Sequence, residues 1–284
     1  MPDVRFLLKV SRPRFWLYVL GPYLVGLAAG AASRDDFLRL DVALFAIYFL
    51  FPANLLIYGV NDIFDFETDR WNPKKAEYEV LVRPESHRTL ISVILLLNVP
   101  FFLAIVFLAP QALPSFFGFL FFSIFYSAPP IRAKQIPFLD SAFNILYVFP
   151  GAFAYQMLTG SFMPWTLFFA AGLWTMAMHA YSAIPDIKAD EKAGVPTVAT
   201  QLGIYWTHAY CAVCYILAAV LSVSAGHDGV ALIGVLYVFL MLLSVRVEGD
   251  MGLFTIYRLF PFINAAAGFV LFWIVAFRTL LSGK

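Results

Sequence analysis

Charge is scarce in this sequence. Of its 284 residues only 13% are Asp, Glu, Lys or Arg, while 62% are hydrophobic. A soluble domain carries roughly a quarter charged and about half apolar residues. The deficit excludes a cytosolic globular enzyme, a disordered chain and a nucleic-acid binder. Net charge is only +1, too little for an overall field that steers a polyanion. Two cysteines cannot build a disulfide framework. No glycine-rich nucleotide loop, nucleophile elbow or internal repeat is apparent. What the chain has is apolar length: its mean hydropathy is +0.80, and one membrane-spanning helix takes about 20 mainly apolar residues. The fold class is therefore all-α, a polytopic membrane protein.

Apolar runs bounded by charge or by Gly and Pro predict about nine transmembrane helices. They lie near 15–32, 37–60, 90–109, 113–127, 138–157, 163–184, 203–224, 229–246 and 256–278. With the N-terminus in the cytoplasm, 15 of the 19 Lys and Arg residues fall on the cytoplasmic side, as the positive-inside rule requires. The four others are Arg34, Arg39, Arg278 and Lys284. Ala29-Gly30-Ala31 has the small-x-small look of a signal cleavage site. The apolar run before it is longer than a signal core, so the first run is read as a helix.

Fourteen of the 18 acidic residues share the cytoplasmic side, where no insertion rule demands them, and they cluster. The first cluster closes the second span as Asn61-Asp62-Ile63-Phe64-Asp65-Phe66-Glu67-Thr68-Asp69. Positions three and four apart share a helix face, so Asn54, Tyr58, Asn61, Asp65 and Asp69 form one stripe with Asp62 at its edge. The second closes the sixth span: His179, Asp186 and Asp190 align if the helix continues through Pro185. Like charges four apart destabilise a helix by a few tenths of a kcal/mol, and by more near hydrocarbon. Taken singly, each stripe also reads as solvated loop acids paired with Lys74, Lys75, Lys188 and Lys192. Two stripes of matching spacing on one side point instead to a divalent cation, since Mg²⁺ prefers carboxylate oxygens and bridges to substrate phosphates.

Basic residues complete the pattern. Tyr126-Ser127-Ala128-Pro129-Pro130-Ile131-Arg132-Ala133-Lys134 ends the fourth span on the same side. Arg is a planar fork for phosphate oxygens and Lys a point charge; both also serve as positive-inside anchors, as does Arg12 before Pro13. The ensemble describes a diphosphate clamp at a membrane surface. If the organic part is allylic, ionisation leaves a carbocation, which needs a dry cavity with aromatic faces. Tyr58, Phe64, Phe66, Tyr126 and Tyr181 lie near the stripes.

Asn61-Asp62-x-x-Asp65-x-x-x-Asp69 followed by Asp186-x-x-x-Asp190-x-x-x-Gly194 resembles the UbiA superfamily of intramembrane prenyltransferases. The likeness covers nearly the whole chain, including Arg12-Pro13, Tyr126 to Lys134, and Ala193-Gly194-Val195-Pro196-Thr197 with Leu202-Gly203. It implies a single domain over 1–284, nine helices around a central cavity, and Mg²⁺ as cofactor. It also implies transfer of an isoprenoid chain from its diphosphate to a lipophilic acceptor, in the inner cell membrane, with the site opening toward the cytoplasm. Carried over, Asn61, Asp65, Asp69, Asp186 and Asp190, with a contribution from Asp62, hold the metal-diphosphate. Arg12, Lys74 or Lys75, Arg132 and Lys134 bind phosphates, and Tyr126 lies near the ionising carbon.

Many family members that act on quinone precursors or lipid ethers follow the first motif with Arg-Pro-Leu-x-x-Gly. Here the stretch reads Arg83-Pro84-Glu85-Ser86-His87-Arg88. Asn72-Pro73-Lys74-Lys75 and His179-Ala180-Tyr181-Ser182-Ala183-Ile184-Pro185-Asp186 instead look like the lycopene-elongase branch, which adds dimethylallyl units to acyclic carotenoids, sometimes with hydration. In that chemistry His179 or Tyr181 is a candidate proton acceptor. Because the acidic stripes bind the donor, an aromatic or glycerol-phosphate acceptor stays open. An ion-coupled transporter is the rival of another class. Cys211 and Cys214 have zinc-like spacing without a second pair and read as packing thiols, and His208 and His227 carry no partner pattern.

Overall fold

The computed structural model describes residues 3–69, 79–247 and 250–281, and among these no strand occurs. The helices are α1 (Val4–Val10), α2 (Trp16–Gly30), α3 (Leu40–Leu50), α4 (Pro52–Phe64), α5 (Phe66–Asp69), α6 (Pro84–Leu108) and α7 (Leu113–Phe125). They continue as α8 (Leu139–Ala142), α9 (Phe149–Thr159), α10 (Trp165–Ala183), α11 (Ile187–Ala193), α12 (Val198–Ser224), α13 (Asp228–Arg246) and α14 (Asp250–Leu281). Among the described residues, six helical stretches are long and apolar enough to cross a bilayer: Leu40–Phe64, Pro84–Leu108, Trp165–Ala193, Val198–Ser224, Asp228–Arg246 and Ile256–Phe277. The expected first and fourth spans appear as the shorter α2 and α7. The expected fifth, near 138–157, is broken into α8, a 3₁₀ turn at Phe143–Tyr147, and α9.

The chain divides into two compact units. The first holds Met1–Arg132, Phe149–Phe162 and Val275–Lys284; the second holds Ala133–Val148 and Met163–Ile274.

In the first unit, α2 and α9 approach until backbone meets backbone. A Cβ on Gly26 would lie 2.0 Å from the carbonyl oxygen of Gly151, so only glycine fits this crossing, as in other small-residue contacts between membrane helices. Phe45, Tyr48, Phe49, Phe119 and Phe153 interlock at ring separations of 4.9–6.5 Å. Hydrogen bonds tie the helices across this apolar core: Ser115 Oγ donates to Gln156 Oε1 at 2.7 Å, and Tyr23 Oη to the Val42 carbonyl at 2.8 Å.

The second expected span is not one straight helix. It breaks at Phe51, ahead of Pro52, which has no N–H to continue the ladder. Asn54 donates to the Phe49 and Leu50 carbonyls at 3.0 and 2.9 Å, satisfying acceptors that the break releases. Its amide therefore serves the bend and not the stripe to which the sequence assigned it.

In the second unit α10, α12 and α13 pack together. Cys211 and Cys214 are buried free thiols, as expected, and Cys211 Sγ lies 3.3 Å from the Ala177 carbonyl. His208, which the sequence left without a partner, joins these helices. Its Nε2 lies 3.0 Å from Ser244 Oγ, which is 2.9 Å from Tyr181 Oη.

Candidate active site

The first acidic stripe is built at the end of α4, and it is not continuous. The helix stops at Phe64, and Asp65 closes it with φ −106° and ψ 3°, its N–H donating to the Asn61 carbonyl at 3.0 Å. The C-terminal end of a helix carries partial negative charge, so carboxylates crowded there oppose its continuation. Beyond the joint, α5 carries the backbone of Asp69. The side chain of Asp69, and Lys74 and Lys75 altogether, lie outside the described residues.

Around that joint the side chains converge. Asn61 Nδ2 donates to Asp65 Oδ2 at 2.7 Å and to Ser127 Oγ at 3.0 Å. Arg12 Nη2 donates to Asp62 Oδ1 at 2.7 Å and reaches Asn61 Oδ1 at 3.4 Å. Its guanidinium lies over the Tyr58 ring, 4.7 Å from the centroid, a cation–π contact. Glu79 accepts from Arg14 at 2.6 Å and lies 3.4 Å from Arg12. Asp62 and Asp65 are 2% and 3% exposed, so the pairing takes place largely out of water, where electrostatic interactions are stronger.

Arg132 belongs to the same cluster. Its Nη2 donates to the Phe64 carbonyl, the last of α4, at 3.0 Å. Its buried Nε meets no acceptor among the described residues. Arg12 and Arg132 both have left-handed backbone, φ 51° and 49°, which costs roughly 1–3 kcal/mol for a residue with a side chain and is characteristic of functional sites. Tyr126 ends α7 half-buried, one residue before Ser127.

Lys134, Asp186 and Asp190 belong to the second unit. Lys134 lies in the 3₁₀ turn Ala133–Gln135. The helix does not run unbroken through Pro185: α10 gives way to a 3₁₀ turn at Ile184–Asp186, then to α11. Asp186 stands at the N-cap position of α11 and Asp190 in its first turn, where the helix dipole favours negative charge. Gly194 stops α11 with φ +66°.

Among the described residues no three His, Cys, Asp or Glu side chains form a cation site. The donors at the α4 joint are nonetheless suited to Mg²⁺, which needs only one or two protein carboxylates and keeps sites for water and phosphate. Asp65 and the Asn61 amide supply such oxygens, while Asp62 Oδ1 is held by Arg12. Sequence reasoning missed Glu79, which accepts from Arg14, and Ser127, which accepts from Asn61.

The profile of the UbiA prenyltransferase family matches residues 19–249. A lycopene elongase/hydratase of Haloferax volcanii is 43% identical over 94% of this chain and 87% of its own. One from Halobacterium salinarum is 38% identical over 94% and 95%. Among solved structures, a UbiA homolog from Archaeoglobus fulgidus bound to GPP and Mg²⁺ superposes with TM-score 0.63 at 21% identity, over 94% of this chain and 99% of that one. The apo structure of a UbiA homolog from Aeropyrum pernix K1 gives 0.69 at 20% identity, over 95% and 99%.

Proposed function

The chain belongs to the UbiA prenyltransferase family, and from that premise we propose that it transfers a dimethylallyl unit from its diphosphate to an acyclic carotenoid such as lycopene within the membrane. The whole chain, 1–284, acts as one catalytic domain. The observation that carries the donor half of this reading is Arg12 on Asp62 beside the Asn61–Asp65 pair. Cationic and anionic groups meet there at one buried helix end, which suits a polyanion together with its cation. The acceptor half rests on the identity to lycopene elongase/hydratases along most of the chain.

Asn61, Asp65, Asp69, Asp186 and Asp190 are the residues assigned to hold the metal-diphosphate. When bound, Mg²⁺ neutralises diphosphate charge and makes it a better leaving group. Asp62 acts differently, fixing the Arg12 fork so that its remaining N–H groups bind phosphate oxygens. Arg132 and Lys134, with Lys74 or Lys75, add positive charge for the same oxygens. Tyr126 presents an aromatic face near the ionising carbon, where developing positive charge is stabilised by the ring. Exclusion of water by the surrounding aromatic side chains protects the cation until the acceptor alkene attacks it. The positive-inside count supports a site that opens toward the cytoplasmic side, and the membrane in this reading is the cell membrane.

The test uses purified protein in lipid with Mg²⁺ and labelled dimethylallyl diphosphate, offered lycopene, aromatic acids or quinone precursors. Label in a lengthened carotenoid is the expected result. Label in an aromatic product keeps the clamp and overturns the acceptor. No transfer with this or longer diphosphates overturns the reading.

A further inference from the structure

Asp140 stands outside the clamp. It lies in α8, in the second unit, and its side chain is wholly buried. A buried carboxylate is costly unless it is hydrogen-bonded and paired. Oδ2 accepts from the N–H of Val198, the first residue of α12, at 2.9 Å. The same oxygen lies 3.9 Å from Nε2 of His179 on α10. Oδ1 accepts no hydrogen bond among the described residues.

Capping α12 does not explain a carboxyl group at this position. That helix has its own capping box: Thr197 Oγ1 accepts from the Thr200 N–H at 3.2 Å, and the Thr197 N–H donates to Thr200 Oγ1 at 2.8 Å. For Val198 a neutral amide oxygen at position 140 would also suffice. The carboxyl group therefore has a role beyond the cap, and an imidazole faces it. His179 keeps 21% of its side chain accessible, against none for Asp140. It precedes Asp186 by seven residues, on α10 ahead of the 3₁₀ turn at Ile184–Asp186. It lies within Trp165–Ala193, a stretch long and apolar enough to cross a bilayer.

We propose that His179 accepts the proton released when the carbocation left by prenyl transfer is quenched, and that Asp140 positions the ring and balances its charge. This rests on the isoprenoid-transfer reading above. Attack of the acceptor alkene on the allylic carbon forms one C–C bond, releases diphosphate and leaves a tertiary cation. A water oxygen then donates a lone pair to that carbon, and a water proton passes to the imidazole, giving an alcohol. Without water, a C–H bond beside the cation breaks, its electron pair forms an alkene, and that proton passes to the same ring. Either way the ring becomes imidazolium, with Nε2–H facing Asp140 Oδ2, and later returns its proton to solvent.

The test compares wild type with His179→Gln and Asp140→Asn in lipid with Mg²⁺, dimethylallyl diphosphate and lycopene. The readouts are donor KM, kcat for lengthened carotenoid, and the alcohol-to-alkene ratio, the two products differing by one water in mass. Asp140→Asn keeps an acceptor for Val198 and so preserves the packing. Expected for His179→Gln is an unchanged donor KM, a kcat lower by about 10²-fold or more, and an altered product ratio. Asp140→Asn changes the ratio in the same direction with a smaller loss. If one variant fails to fold, the other decides. An unchanged product ratio in either folded variant, whatever its rate, overturns the proposal, because a merely structural role leaves that ratio alone. Wild-type protein that forms no prenylated product overturns the transfer reading instead, and this one with it.

Discussion

Arg12 illustrates how a single side chain acquires its role. By sequence it is a positive-inside anchor first and a phosphate ligand second. Folded, it bonds Asp62 and Asn61 at once while lying over Tyr58, an arrangement that depends on a planar fork. Lysine is a point charge and cannot reproduce it. Arg12→Lys should raise the donor KM about tenfold or more while expression holds, as measured by steady-state kinetics and by competition with inorganic diphosphate. Asp65 is assigned to the metal-diphosphate itself. Asp65→Ala should lower kcat by about 10²–10³-fold, the scale seen when one charge-stabilising group is lost. Activity surviving in Asp65→Ala and in Asp186→Ala would remove the clamp mechanism.

At the scale of elements, the two acidic stripes are unlike, although the sequence spaces them alike. At α11 the acids sit at a helix start, where the dipole favours them; at α4 they crowd a helix end, where it does not. The α4 stripe thus calls more strongly for a bound cation. Its position depends on the bend at Phe51, which Asn54 holds by satisfying two carbonyls. Asn54→Ala should destabilise the fold by about 1–3 kcal/mol, read from denaturation in detergent, and should lower activity by moving the end of α4. The α2–α9 crossing makes a second prediction. Gly26→Ala forces the helices apart and should cost about 1–3 kcal/mol, the range for overpacking, with little change in the donor KM of the surviving folded protein.

For the molecule as a whole, the cation requirement is the direct test of the donor chemistry. A chelator should abolish transfer, and Mg²⁺ should restore it without refolding, since α4 and α11 form from their own backbones. Thiol-reactive probes on a cysteine introduced at Ser33 or at Glu85 report orientation: reaction from the cytoplasmic side is expected only at Glu85.

Much of this was readable beforehand because it is local. Composition alone identifies a membrane protein, apolar run length predicts where its long helices lie, and a period of 3.6 residues groups Asn61 with Asp65. These properties belong to each segment whatever its neighbours. The partners of the charged groups are another matter. Asp62 meets Arg12 across 50 residues of chain, Asn61 meets Ser127 across 66, and Phe64 meets Arg132 across 68. Asn54 turned inward to a bend, and Asp140, unremarked in the linear order, found Val198 and His179. In hydrocarbon no hydrophobic force selects which helices pair. Close packing of small residues and hydrogen bonds between helices select them, and those contacts exist only once the chain has folded.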